Sequence, residues 1–175
     1  RSSCDWNTDY CRYYELFEKR TIMIILIDVG NTEVKIGITQ GKSIDQKFRI
    51  STDRNLSADA YYLLISPFIK NEEVDRVAIS SVVPPVTKAL KDMFIKYYQA
   101  SPLVVGPCMK TGINVKTDYP KEVGADRIVS VAYAYHTFHK PCIIVDFGTA
   151  TTFDFVSEKG EFKYKHSKFN LNILL

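Results

Sequence analysis

Two short stretches of this chain place an aspartate, a glycine and hydroxyl or amide side chains in the same order: Asp28-Val29-Gly30-Asn31-Thr32 and Asp146-Phe147-Gly148-Thr149-Ala150-Thr151-Thr152. A glycine in such a turn lets the backbone come close to a ligand, and consecutive N–H groups in a tight turn form an anion-binding nest. Asn and Thr side chains add amide and hydroxyl donors. An Asp at the mouth of the preceding strand can hold a metal ion or water beside the phosphates. One copy reads equally well as an ordinary hairpin whose polar residues satisfy the turn. Two copies, far apart in the chain, imply a paired phosphate clamp in a fold whose domains face each other across a cleft.

A third group is Gly124-Ala125-Asp126-Arg127, at the start of a run with helical period. An Asp in a first helical turn is favoured by the helix dipole alone. A carboxylate beside a guanidinium also offers a base for a hydroxyl and a fork for a carboxylate on the same small molecule. Ser80 and Ser81, in Ile79-Ser80-Ser81-Val82-Val83-Pro84, fall at a strand end, where they either contact a ligand or cap the Pro-initiated helix that follows. His136 and His139 lack a third ligand at a metal-binding spacing and read as surface residues. Cys4, Cys11, Cys108 and Cys142 contain no C-x-x-C pair, so neither a zinc knuckle nor a redox dithiol is indicated.

The elements that must position these residues follow from pattern. The β-branched run Ile24 to Ile27 stops at the first Asp and resumes as the alternating Glu33-Val34-Lys35-Ile36-Gly37-Ile38, which predicts a hairpin with a polar tip. After a turn at Gly41 and Lys42, residues 46–50 supply a third strand. Leu56, Ala60, Leu63, Leu64 and Phe68 predict a helix over 57–70, with Ser57 or Asn55 as N-cap. A buried strand over 74–83 leads into a helix over 85–98 with Pro at its start. A short strand over 103–105, a loop over 106–114, and a helix marked by Ile128, Val131, Ala132, Tyr135 and Phe138 come next. The second hairpin, from Cys142 to Val156, ends the legible part. The order is α/β.

At 175 residues, 46% of them hydrophobic, the chain is long enough for one full core and part of a second. A net charge of +3 without a dense Lys/Arg stripe gives no reason to invoke nucleic acid. No apolar run approaches the roughly 18 residues of a bilayer span, so no membrane role is expected and a cytoplasmic location is. Residues 1–22 show neither a signal-peptide core nor a helix period and read as an extension outside the fold.

The two phosphate stretches, with Ile79 to Pro84 and Tyr119-Pro120-Lys121-Glu122-Val123-Gly124-Ala125-Asp126-Arg127 between them, resemble type III pantothenate kinase, of the actin, sugar-kinase and heat-shock-ATPase superfamily. The resemblance runs from about Met23 to about Glu161. It implies a ribonuclease H-like (actin-like ATPase) α/β domain with a mixed sheet over 23–139, then an incomplete second domain of the same kind over 140–175. It implies ATP-dependent phosphorylation of pantothenate with Mg²⁺, which opens coenzyme A biosynthesis, and a homodimer in full-length members. Carried over residue by residue, Asp126 is the proton acceptor, and Gly124, Ala125, Asp126 and Arg127 bind pantothenate. Asp28, Val29, Gly30, Asn31, Thr32, Glu33, Val34, Lys35 and Thr149 bind ATP, and Asp146 is linked to a monovalent cation, K⁺ or NH₄⁺.

The chain departs from the family pattern in two places. Some members have a Tyr seven residues before the Gly of Gly-x-Asp-Arg, where this chain has Thr117, and Tyr119 nearby is out of register with it. Members also continue after the second hairpin into a Gly-Gly-x-Ile-x-Pro-Gly segment over adenosine, where this chain has a basic, aromatic tail from Phe162 to Leu175. The expectation is therefore a truncated or frame-shifted member, impaired as a kinase, with Phe147, Phe153, Phe155 and Phe162 exposing apolar surface. Two alternatives stay open: a kinase for another small hydroxyl compound, and a non-catalytic relative that binds a nucleotide or partner in a regulatory role.

Overall fold

The computed structural model describes residues 22–41, 43–69, 73–106, 109–116, 119–147 and 151–163. Strands β1 (Ile24–Val29), β2 (Glu33–Thr39), β3 (Gln46–Ser51), β4 (Arg76–Ser81) and β5 (Leu103–Val104) form one sheet in the order β3-β2-β1-β4-β5. β2 runs antiparallel to β1 and β3, while β4 is parallel to β1 and β5 to β4. This order, with the second strand alone reversed, is that of the ribonuclease H-like fold. Its register follows from the side chains. Ile25 pairs with Ile38, Ile27 with Ile36 and Val29 with Val34, so the β-branched residues of both strands share one buried face.

Two helices cover that face. α1 (Ala58–Ile69) contributes Tyr61, Ile65 and Ile69, and α2 (Pro84–Tyr98) contributes Val86, Leu90, Met93 and Phe94. Of the two expected caps of α1, Ser57 and Asn55, Ser57 takes the role: its Oγ accepts a 3.2 Å hydrogen bond from the Ala60 N–H. α2 opens on Pro84 and Pro85, where missing N–H groups cost nothing. Phe94 and Leu90 are wholly buried between helix and sheet; truncating such a side chain to Ala costs about 2–5 kcal/mol.

A second sheet has the order β6-β9-β8-β7, built from β6 (Asn114–Val115), β7 (Cys142–Phe147), β8 (Thr151–Val156) and β9 (Glu161–Lys163). β7 and β8 form the expected hairpin; β6 and β9 were not expected. Strands of two and three residues are too short to show an alternation, and β6 falls in a stretch read as loop. α3 (Ala125–Phe138) lies on one side of this sheet, where Ile128 and Val131 meet Val123, Val156 and Phe162. Gly160, at φ 71°, makes the turn into β9 and lies against the Tyr135 ring.

Two expectations are corrected here. Phe162 is wholly buried rather than open, because pairing opposite Val156 turns it to the α3 side of the sheet. Phe138 is exposed while Ala134 is buried, because the buried stripe of α3 steps through Ala125, Ile128, Val131 and Ala134. Phe147, Phe153 and Phe155 are open as expected. Among the described residues no helix is long and apolar enough to cross a membrane.

Candidate active site

The tip of the first hairpin is braced from below. The Gly30 N–H donates to the Glu33 carbonyl at 2.9 Å, Thr52 Oγ1 donates to the Gly30 carbonyl at 2.8 Å, and the Thr52 N–H donates to the Thr32 carbonyl at 2.9 Å. A Cβ on Gly30 would sit 3.3 Å from the Glu33 carbonyl oxygen, so the turn is tight. Arg54 donates to Asn31 Oδ1 at 3.3 Å and brings a cation to the tip that the motif did not predict. Of the residues expected to bind ATP, Val29 and Val34 are buried in the core, so their side chains serve packing. Glu33 pairs with Arg49 at 3.5 Å, and Lys35 pairs with Asp28 at 3.7 Å.

Asp28 stands between Lys35 on β2 and Ser80 on β4. Its carboxyl is held above the usual carboxylate range, first by partial burial and then by the neighbouring charges of Asp126 and Asp146, against which Lys35 works. The charges of Asp126 on α3 and Asp146 on β7 are thus both felt at Asp28 on β1. Ser80 is buried, and its Oγ has no hydrogen-bond partner among the described residues. Ser81 Oγ instead accepts from the Val83 N–H at 3.0 Å and from Thr87 Oγ1 at 2.7 Å. The two readings of this serine pair are thus divided between them. Ser81 ties the turn into α2, and Ser80 offers an unclaimed hydroxyl beside Asp28.

Gly124 is the N-cap of α3, and a side chain there would displace that of Asp126. A Cβ there would collide with Asp126 Oδ1 and lie 3.5 Å from Val82 Cγ1. That close approach seats the start of α3 against the end of β4. Asp126 Oδ1 accepts from the Arg127 N–H at 2.8 Å, which orients the carboxyl. Ala125 is buried and packs. The Arg127 guanidinium is turned to Asp154 on β8: Nε donates to Oδ2 at 3.0 Å, and Nη2 reaches Oδ1. Asp154 was not singled out from sequence; the one signal was an acid inside an alternating strand.

Asp146, exposed near the end of β7, stands opposite Thr152 of β8, whose Oγ1 is buried without a hydrogen-bond partner among the described residues. Lys42, Thr117, Gly148, Thr149, Ala150, residues 1–21 and the tail from 164 lie outside the described residues. Tyr119 is exposed, just ahead of a 3₁₀ turn at Pro120–Glu122. His136 and His139 sit exposed at the end of α3, and His136 Nε2 lies 2.8 Å from the Thr111 carbonyl. Among the described residues no three His, Cys, Asp or Glu side chains are gathered closely enough to hold a metal by themselves. A hollow of about 570 Å³ between α3 and β7, lined by Tyr133, Phe138 and Ile143 among others, lies at the far end of α3 from Asp126.

A family model described as type III pantothenate kinase matches residues 24–163. The chain belongs to the type III pantothenate kinase family. The match begins on the first residue of β1 and ends on the last of β9, so it takes in both hairpins and α3. The chain is 43% identical over 145 residues to the type III pantothenate kinase of Brevibacillus brevis and 45% to that of Geobacter sulfurreducens, covering 80% of this chain and 57% of each relative. It thus spans a little over half the length of these type III pantothenate kinases. Similar solved structures include an Arthrobacter inorganic polyphosphate/ATP-glucomannokinase, at TM-score 0.43 and 16% identity over 81% of this chain and 60% of that one. Another is the Aquifex aeolicus Ppx/GppA family member, at TM-score 0.39 and 18% identity over 79% and 48%.

Proposed function

We propose that the protein transfers the γ-phosphoryl group of ATP to the primary hydroxyl of pantothenate, giving 4'-phosphopantothenate in the first step of coenzyme A biosynthesis. The observation that supports this reading is the seating of the Asp126 helix start against the end of β4, the strand beside Asp28, where the Asp126 charge reaches Asp28. Transfer to a hydroxyl needs a base beside the phosphate clamp. The family supplies the acceptor.

In this reading the first tip, Asp28 to Lys35, holds the ATP phosphates through its backbone N–H groups and Lys35, and Thr149 adds a hydroxyl from the second. Arg127 holds the pantothenate carboxylate, with the backbone of Gly124 and Ala125 beside it. Asp126 takes the hydroxyl proton as the hydroxyl oxygen bonds to the γ-phosphorus. The bond from that phosphorus to the bridging oxygen breaks, and ADP leaves. Positioning and charge neutralisation do most of the work.

Asp28 and Asp146 fit a hard cation, since their mutual repulsion is relieved by one. Mg²⁺ commonly takes one or two carboxylates and completes its shell with water and phosphate oxygens. Bound there, it neutralises charge on the transferred group. Asp146 is also the ligand for K⁺ or NH₄⁺. The same reading has two units meeting near residues 139 and 140 and a cytoplasmic homodimer with neither nucleic acid nor membrane as partner.

The test is ADP release, with pantothenate and with a panel of sugars, by the purified protein carried to the full length of its relatives. Release that depends on pantothenate and Mg²⁺, and runs faster in K⁺ or NH₄⁺ than in Na⁺, is expected. Release with a sugar but not pantothenate overturns the acceptor, and ATP binding without turnover points to the regulatory alternative.

A further inference from the structure

The fork between Arg127 and Asp154 joins the start of α3 to the middle of β8. It is almost out of water, with the Asp154 side chain 3% and the Arg127 side chain 16% exposed. Packing alone gives no reason for ions here. Ile128, Val131, Val156 and Phe162 make the neighbouring cluster apolar, and a buried ion pair is commonly no more stabilising than apolar side chains of the same size. The position of the pair in the chain is more telling. Arg127 follows Asp126 directly. Asp154 lies two residues beyond Thr152, which stands opposite Asp146, so Asp154 and Thr152 share one face of β8.

We propose that Asp154 is a positioning residue: its carboxylate fixes the plane of the Arg127 guanidinium and makes the grip on an anionic acceptor depend on the position of the second hairpin. This rests on the reading of Arg127 as the acceptor's fork. A guanidinium is rigid and planar, so two bonds to one carboxylate set the direction of the whole group. β8 carries both that carboxylate and the hydroxyl beside Asp146, so a phosphate or cation that shifts the hairpin shifts Arg127 with it. Acceptor and nucleotide binding are then coupled, and the coupling is reciprocal.

Two variants separate positioning from support. Asp154→Asn keeps shape and removes the charge. Asp154→Glu keeps the ion pair but lengthens its reach, so the protein folds with the guanidinium displaced. Both are measured by pantothenate calorimetry with and without a non-hydrolysable ATP analogue, by steady-state kinetics and by thermal melting. The expected result is a rise in Kd and KM for pantothenate of about tenfold or more, with KM for ATP and kcat within about threefold. In Asp154→Glu this occurs at a near-normal Tm, and the analogue no longer tightens pantothenate. If Asp154→Asn fails to fold, Asp154→Glu decides alone. Wild-type pantothenate affinity in Asp154→Glu overturns the positioning role while leaving the acceptor reading intact. Wild-type protein that binds ATP but not pantothenate overturns the acceptor reading and the inference with it.

Discussion

In the proposed reading Asp126 is the residue on which the chemistry turns, and its substitution is the sharpest test at this scale. Asp126→Asn keeps the shape that meets the Arg127 N–H and removes the base, so kcat should fall by about a hundredfold or more while ATP affinity is retained; rapid-quench and nucleotide-binding measurements check both halves. Asp28 shows the opposite balance. Its folded-state pKa lies above that of an exposed aspartate, so between the two values the folded state holds more protons than the unfolded. Stability contributed by this group is therefore present at low pH and lost as pH rises through the folded pKa. Asp28→Asn should stabilise the nucleotide-free, metal-free protein at neutral pH and have no such effect below the ordinary aspartate pKa. The gain stays under about 1 kcal/mol, because the side chain is 47% exposed and water screens it. Melting curves at the two pH values decide, and a loss of stability at neutral pH would contradict the account. On the proposed reading, Mg²⁺ and ATP should reverse the sign, since the carboxylate would then be a ligand.

Whole elements hold these carboxylates in place, and their joints are testable. Gly124 sits at an extended φ of −60°, so backbone freedom is not its purpose; lack of a Cβ is. Gly124→Ala should fold, because the Asp126 side chain can rotate away, yet lose at least about tenfold in kcat because that rotation moves the base. A variant with normal kcat would show that the base tolerates displacement. Ser81→Ala removes the acceptor of the Val83 N–H and the partner of Thr87 at the turn into α2, costing about 1 kcal/mol in denaturant melts with acceptor KM unchanged. Both hairpins, a cap at Ser57 or Asn55 and a Pro-initiated helix, placed one residue late at Pro85, were legible because each is written in a few adjacent residues. β6 and β9 were not, since their pairing is fixed by where α3 sits and not by their own two or three residues. Nor was the Arg127–Asp154 fork, whose partners are 27 residues apart. Alternation in Phe153-Asp154-Phe155 fixes which residues share a face but not which face is covered. The covered one holds the acid.

At the scale of the molecule, the first sheet is layered by two helices, whereas among the described residues the second carries α3 on one side only. Ile143, Val145, Phe147, Phe153 and Phe155 share the other side, with Phe147 82% and Ile143 70% exposed. A contiguous apolar face of this kind binds hydrophobic probes and neighbours. The 175-residue polypeptide should enhance the fluorescence of a hydrophobic dye and associate as concentration rises. Phe147→Ser with Phe155→Thr should reduce both at little cost in Tm, and an absence of dye binding by the unmodified polypeptide would count against an open face. The parallel pairing of β6 with β9 has a different consequence, one of timing. Asn114 and Val115 meet Glu161 and Phe162 about 47 residues later, and α3 with both strands of the second hairpin lies between them. On the ribosome, the Ile128 and Val131 stripe must wait for Phe162 to leave the exit tunnel, an interval of roughly 2–7 s at ordinary elongation rates. Throughout that wait the first sheet can already be folded while α3 hangs from it half-clad, which makes this stretch of synthesis the moment when a nascent-chain chaperone has most to hold.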